Sequence, residues 1–324
     1  MRIKKFVIVN VILSIFLISS LYGLSWLYIN YVNDRTVKFM EYNKLPNNSI
    51  DIVSLGSSHG KYGLKLWEKN QMNLALESQG MYYNLKLLEK YQSKIKEGAK
   101  IIIPISIFSF YEPNYESQEI KNDNYKNYIN ILDKNEIGTS LKTSEYYIQK
   151  KFSVLYPPNR LKETLAIIIK WIKYRNIYKN KMFYLADYKG EQFKSDAKGH
   201  AKGHITLSNK NSNKYGITYT REILEICKKN KWDCIYIVIP CHKFYVEELE
   251  KIERNIFIQR IYNNLDEVDK KYKILDYIRD ERFYNNEEYF LNADHLNEKG
   301  AEYFTKILLS DIVEILKEDE KRTL

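Results

Sequence analysis

A serine set between two glycines near the start of the chain, and an Asp-His pair near its end, are the residues best suited to chemistry. The serine lies in Asp51-Ile-Val-Ser-Leu-Gly-Ser-Ser-His-Gly60 and the pair in Asn292-Ala-Asp-His-Leu-Asn-Glu-Lys-Gly300. A serine hydroxyl is a weak nucleophile until an adjacent base takes its proton. A histidine oriented by a carboxylate does this, and the product is an acyl-serine. The roles expected are Ser58 as nucleophile, His295 as general base, and Asp294 or Asn292 as the group that orients it. Each stretch also has a plain structural reading, as a strand-ending turn and as a helix cap. Their joint occurrence, in the order strand–Gly–Ser and then Asp–His, favours the catalytic one.

The elements that must position these residues read as alternating strands and helices. Short apolar runs at Ile52–Leu55, Asn73–Gly80, Ala99–Ser106, Cys234–Pro240 and Tyr272–Tyr277 are of strand length. Helical patterns are expected over Tyr62–Asn70, Met81–Ile95, Ile217–Asn230 and Tyr245–Val268, and from Glu298 onward. This alternation predicts an α/β protein with a parallel sheet of about five strands, in which ligands bind beyond the carboxyl ends of the strands. Ser58, Gly80 and Ser106 all fall at such ends. The Ser58 and Gly80 N–H groups and the Ser106 side chain are therefore the candidate oxyanion donors.

Phe6 to Tyr28 is almost wholly apolar and uncharged, long enough to cross a bilayer, and preceded by Arg2, Lys4 and Lys5. An uncleaved anchor over residues 1–32 is expected, with the N-terminus cytoplasmic and residues 33–324 outside. Asn33 to Asn48 reads as a polar connector. Residues 111–214 break the alternation and read as a largely helical, basic insertion or lid. Between Leu141 and Tyr215 sixteen Lys/Arg stand against five Asp/Glu, in a chain of net charge +10. Such a surplus suits a solvated face, an anionic polymer or a membrane surface. Nucleic acid is disfavoured for a domain outside the cytoplasm.

No cofactor or metal is expected. Cys227, Cys234 and Cys241 match neither a disulfide framework nor a zinc pattern. His200 and His204 in Ala-Lys-Gly-His-Ala-Lys-Gly-His have metal-ligand spacing, but the glycines argue against the helix that would align them.

The chain resembles the SGNH (GDSL-type) hydrolase superfamily, in the membrane-anchored branch that includes DltD-type proteins of teichoic acid D-alanylation and O-acylation partners of surface polysaccharides. Gly56-Ser-Ser58 matches the nucleophile block, Gly80 the oxyanion glycine, and Asn292-Ala-Asp-His295 the last block. The match runs over about 51–110 and 215–316. Two positions depart from the pattern: Ser106 replaces the usual Asn of the third block, and Asn292 the usual Asp three places before the histidine. The resemblance implies a flavodoxin-like three-layer fold. It also implies acyl transfer to, or removal from, a cell-envelope polysaccharide or teichoic acid, with an integral-membrane acyltransferase as partner. A degenerate member that only binds or assembles envelope polymer is the alternative. The Gly-x-Ser-x-Gly spacing also fits the α/β-hydrolase elbow, but that elbow normally follows several strands, and here the serine ends the first.

Overall fold

The structure is a computed structural model describing residues 2–115, 123–138, 140–155, 160–178, 190–210, 212–254 and 256–323. The Tyr156-Pro-Pro-Asn turn lies outside them. In chain order the first helices are α1 (Arg2–Leu27), α2 (Asp34–Lys44), α3 (Ser58–Gly63), α4 (Met81–Tyr91), α5 (Thr143–Lys151) and α6 (Arg160–Tyr178). They are followed by α7 (Glu191–Lys210), α8 (Lys214–Lys229), α9 (Lys243–Glu253), α10 (Ile256–Val268), α11 (Glu281–Tyr284) and α12 (Glu298–Thr323). The strands are β1 (Ile50–Ser54), β2 (Gln71–Asn73), β3 (Ile95–Pro104), β4 (Asp233–Val238), β5 (Ile274–Asp276), β6 (Phe290–Asn292) and β7 (His295–Leu296).

The chain forms two compact units, Met1–Lys44 with Tyr115–Phe183, and Leu45–Asn114 with Tyr184–Leu324. In the first, α1 and the helical turn after it give an apolar helix over Ile3–Val32, long enough to span a membrane. Phe6, Phe16 and their neighbours are exposed along it, as a lipid-facing helix requires. Tyr28 at its end packs with Val154 and Ile168.

The second unit holds a parallel sheet of five strands, as expected, but its second strand is Gln71–Asn73, and the run expected as a strand over Asn73–Gly80 leads from it to α4. The strand order is β2-β1-β3-β4-β5. That is the flavodoxin-like order of a doubly wound α/β fold. The chain winds one way from β1 to β2 and the other way from β3 to β5. Right-handed crossovers therefore put α3 on one face and α4, α8, α9 and α10 on the other. The strands form because buried runs such as Ile101–Ile103 and Ile235–Val238 pack on both faces. Ile102, Ile237, Phe257, Phe304 and Leu308 share one core.

Several elements depart from the sequence expectation. The supposed polar connector contains α2, because Thr36 and Phe39 are buried along it. The helix expected over Tyr62–Asn70 already ends at Gly63. Beyond it Leu64, Lys65 and Leu66 are buried, Trp67 is exposed, and the segment is neither helix nor strand. The long helix expected over Tyr245–Val268 breaks at Arg254, whose φ is +54°.

The clearest correction is the Ala-Lys-Gly-His doublet, which lies inside α7. Two interior glycines cost a helix about 1 kcal/mol each against alanine. Phe193, Ala197, Ala201 and Ile205, four residues apart, are buried on one stripe. Burying a side chain such as Phe or Ile returns about 1.5–3 kcal/mol, so packing overrides propensity.

These glycines differ from those around the serine. A Cβ on Gly199 meets nothing within 4 Å, whereas one on Gly60 would lie 2.7 Å from the Leu55 carbonyl oxygen. Gly60→Ala should therefore lower stability by about 1–3 kcal/mol, and Gly199→Ala should raise it by about 0.5–1 kcal/mol. Thermal unfolding of the full chain in detergent reads both. Equal shifts would contradict this packing.

Candidate active site

The turn after β1 delivers the serine. Gly56 has φ +110°, a conformation side chains resist, and its N–H donates to Asn84 Oδ1 at 2.7 Å. Ser57 caps α3, and Ser58 is the first helical residue. Ser58 is half-buried and stands at the carboxyl end of β1, where the strand order reverses. Such a switch point is the usual ligand crevice of this sheet type.

The β6–β7 hairpin delivers His295. These strands pair antiparallel, with Asn292 opposite His295 and only Ala293 and Asp294 between. The Asn292 side-chain oxygen accepts from the His295 backbone N–H at 2.9 Å and lies 3.0 Å from His295 Nδ1. An amide oxygen only accepts, so Nδ1 carries the proton and Nε2 is left bare. Nε2 lies 2.9 Å from Ser58 Oγ and accepts its hydrogen. Asp294 Oδ1 is 3.2 Å from the same Nδ1. Both candidate orienting groups thus reach His295 together: the amide from the hairpin pair and the carboxylate from its turn.

Asp294 is fully buried and serves more than one ring. His200 Nδ1 lies 2.6 Å from Oδ1, while His59 Nε2 and His204 Nε2 lie 3.3 and 4.0 Å from Oδ2. Four of the five histidines in the chain therefore surround one carboxylate. Burial alone would raise its pKa. The charge on His295 and hydrogen bonds from His200, His295 and His59 outweigh that and hold the carboxyl well below its usual range. The hydrogen bond to Asp294 raises His200, whereas burial depresses His59 and pushes His204 down to about 3. At neutral pH the cluster is an ionised Asp294 with neutral His59 and His204. His204 Nδ1 pairs with the Tyr245 hydroxyl at 2.7 Å.

The oxyanion candidates fare differently. Ser58 and Gly80 each sit at a helix N-terminus, Ser58 as the first residue of α3 and Gly80 as the cap of α4. The Ser106 hydroxyl is instead bonded to His59 Nδ1. Beside Gly80, the buried Glu112 carboxyl accepts from the Met81 N–H at 2.9 Å. Behind His59 and Ser106 a cavity of about 10 Å³ is lined by Ile105, Val238, Tyr245 and Phe257. It has room for about one water, and in this conformation takes no acyl chain.

His59, Asp196 and Glu112 are not among the residues expected from the sequence. The i,i+4 spacing of His200 and His204 is visible there, and α7 supplies the helix that their flanking glycines argue against. Comparison of the chain with protein-family models and with curated proteins finds no match.

Burial raises Glu112 to about 8, against the Met81 and Tyr82 N–H groups that favour its anion. Between about pH 4.5 and 8 the unfolded chain has lost this proton and the folded chain keeps it. Stability should fall with rising pH across that window and level off above it. Glu112→Gln should flatten this part of the stability–pH curve, measured by thermal unfolding. An unchanged slope would remove Glu112 as its source.

Proposed function

We propose that the protein is a membrane-anchored, serine-dependent acyl-transfer enzyme acting on a cell-envelope polysaccharide or teichoic acid. The observation that carries this is the 2.9 Å approach of His295 Nε2 to Ser58 Oγ, with Nδ1 fixed by Asn292 and Asp294. In the reaction the Ser58 oxygen bonds to the acyl carbon while its proton passes to His295 Nε2. The bond from that carbon to the departing alcohol oxygen breaks, and His295 returns the proton to it. A second hydroxyl, from water or a glycan, reverses these steps and takes the acyl group. Asp294 stabilises the imidazolium, and Asn292 holds its tautomer.

The envelope setting rests on coarser support. The apolar helix over Ile3–Val32 suits a single-pass anchor with the site outside, and the basic residues between Leu141 and Tyr215 suit an anionic polymer. Tethering would keep the site at high effective concentration beside a membrane-embedded donor, which favours transfer over hydrolysis. The bond between Ser106 and His59, together with Glu112 beside Gly80, favours a second reading. In it the fold keeps the pair but serves as a polymer-binding or assembly protein.

Turnover of a small acetyl ester by the full chain in detergent separates the two. Ser58→Ala and His295→Ala should each lower kcat by about 10³-fold or more. Asp294→Asn should cost less, on the order of 10²-fold, because Asn292 still holds the tautomer. Turnover that survives Ser58→Ala would reject the acyl-serine route. Absence of turnover in folded wild type, with retained teichoic acid binding, would favour the second reading.

A further inference from the structure

The acyl-transfer reading uses Ser58, Asn292, Asp294 and His295, and leaves the partners of Asp294 on α7 unexplained. Asp196 and His200 occupy successive turns of that helix. His200 stands between two carboxylates, with Nε2 3.4 Å from Asp196 Oδ1 and Nδ1 2.6 Å from Asp294 Oδ1. Among the described residues the other Asp196 oxygen, Oδ2, is buried without a hydrogen-bond partner. An unpaired buried carboxylate oxygen is costly, and a second carboxylate nearby adds repulsion. A cation bound by both carboxylates would remove each penalty.

We propose that Asp196, His200 and Asp294 form a binding site for a divalent transition-metal ion of the zinc class. One ligand atom from each residue lies within 4.8 Å of the other two. A tetrahedral ion with bonds of about 2.1 Å needs separations of about 3.4 Å, so the ligand atoms need close by no more than about 1.4 Å. One imidazole and two carboxylates suit zinc and exclude the all-oxygen preference of magnesium and calcium. His59, Asp294 and His295 are also close enough to hold an ion. There, however, His59 Nδ1 is bonded to Ser106, and both His295 nitrogens face Asn292 and Ser58. The unpaired Asp196 oxygen places the site on α7 instead. The ion would tie α7 to the turn carrying Asp294, so its binding stabilises the folded state independently of any reaction at Ser58.

The test is zinc binding by the full chain in detergent, read by equilibrium dialysis and by thermal unfolding, with magnesium chloride as the comparison. One zinc per chain and a raised unfolding midpoint are expected, with no effect of magnesium. Asp196→Asn and His200→Gln should each weaken binding at least tenfold, and Ser58→Ala should leave it unchanged. No zinc-dependent shift in wild type, or binding insensitive to both α7 substitutions, would overturn the site. Zinc binding without ester turnover would count against the acyl-transfer reading alone. Turnover without zinc binding would count against the metal site alone.

Discussion

One buried charge organises this site. A carboxylate held wholly out of water is tolerated only when partners satisfy it. Asp294 meets that demand by drawing ring nitrogens from three parts of the chain: His59 on α3, His200 on α7 and His295 on β7. The turn after β1, helix α7 and the β6–β7 hairpin are therefore tied at one point. Removing the carboxylate would strand several polar rings at once, so its cost should exceed that of one lost hydrogen bond.

Sharing also divides the influence of Asp294. Its Oδ1 lies closer to His200 than to His295, so the stronger pull goes to a histidine that does not touch the serine. Asn292 compensates by geometry. Pairing opposite His295 in the hairpin, it presents a neutral acceptor to both the backbone N–H and the ring Nδ1. The split separates two duties that one carboxylate usually combines. In the proposed reaction the amide would fix which nitrogen carries the proton, and the carboxylate would supply the charge that stabilises the imidazolium.

How much of this was legible in the sequence follows from the range of the forces involved. β1, β3 and β4 were legible because each contains a contiguous apolar run bounded by polar or turn residues, whereas β2 is Gln71-Met-Asn73 and carries no such run. Ser58 and His295 were legible because their glycine and Asp contexts are local. The spacing of His200 and His204 was visible but their alignment was not, because the helix that aligns them exists through its packed stripe of Phe193, Ala197 and Ile205. Asp196 and Glu112 carry no local mark at all. Their character comes from burial, beside Asp294 for Asp196 and over the Met81 N–H for Glu112, each more than thirty positions away.

The central claim is that Ser58 is an activated nucleophile, and covalent capture tests it most directly. The full chain would be treated with an activated phosphonate ester and its intact mass measured, followed by peptide mapping. The account expects a single adduct on the peptide containing Ser58, abolished by His295→Ala and formed slowly by Asp294→Asn. Folded protein that takes up no adduct, or carries it on another serine at an equal rate, would contradict the account.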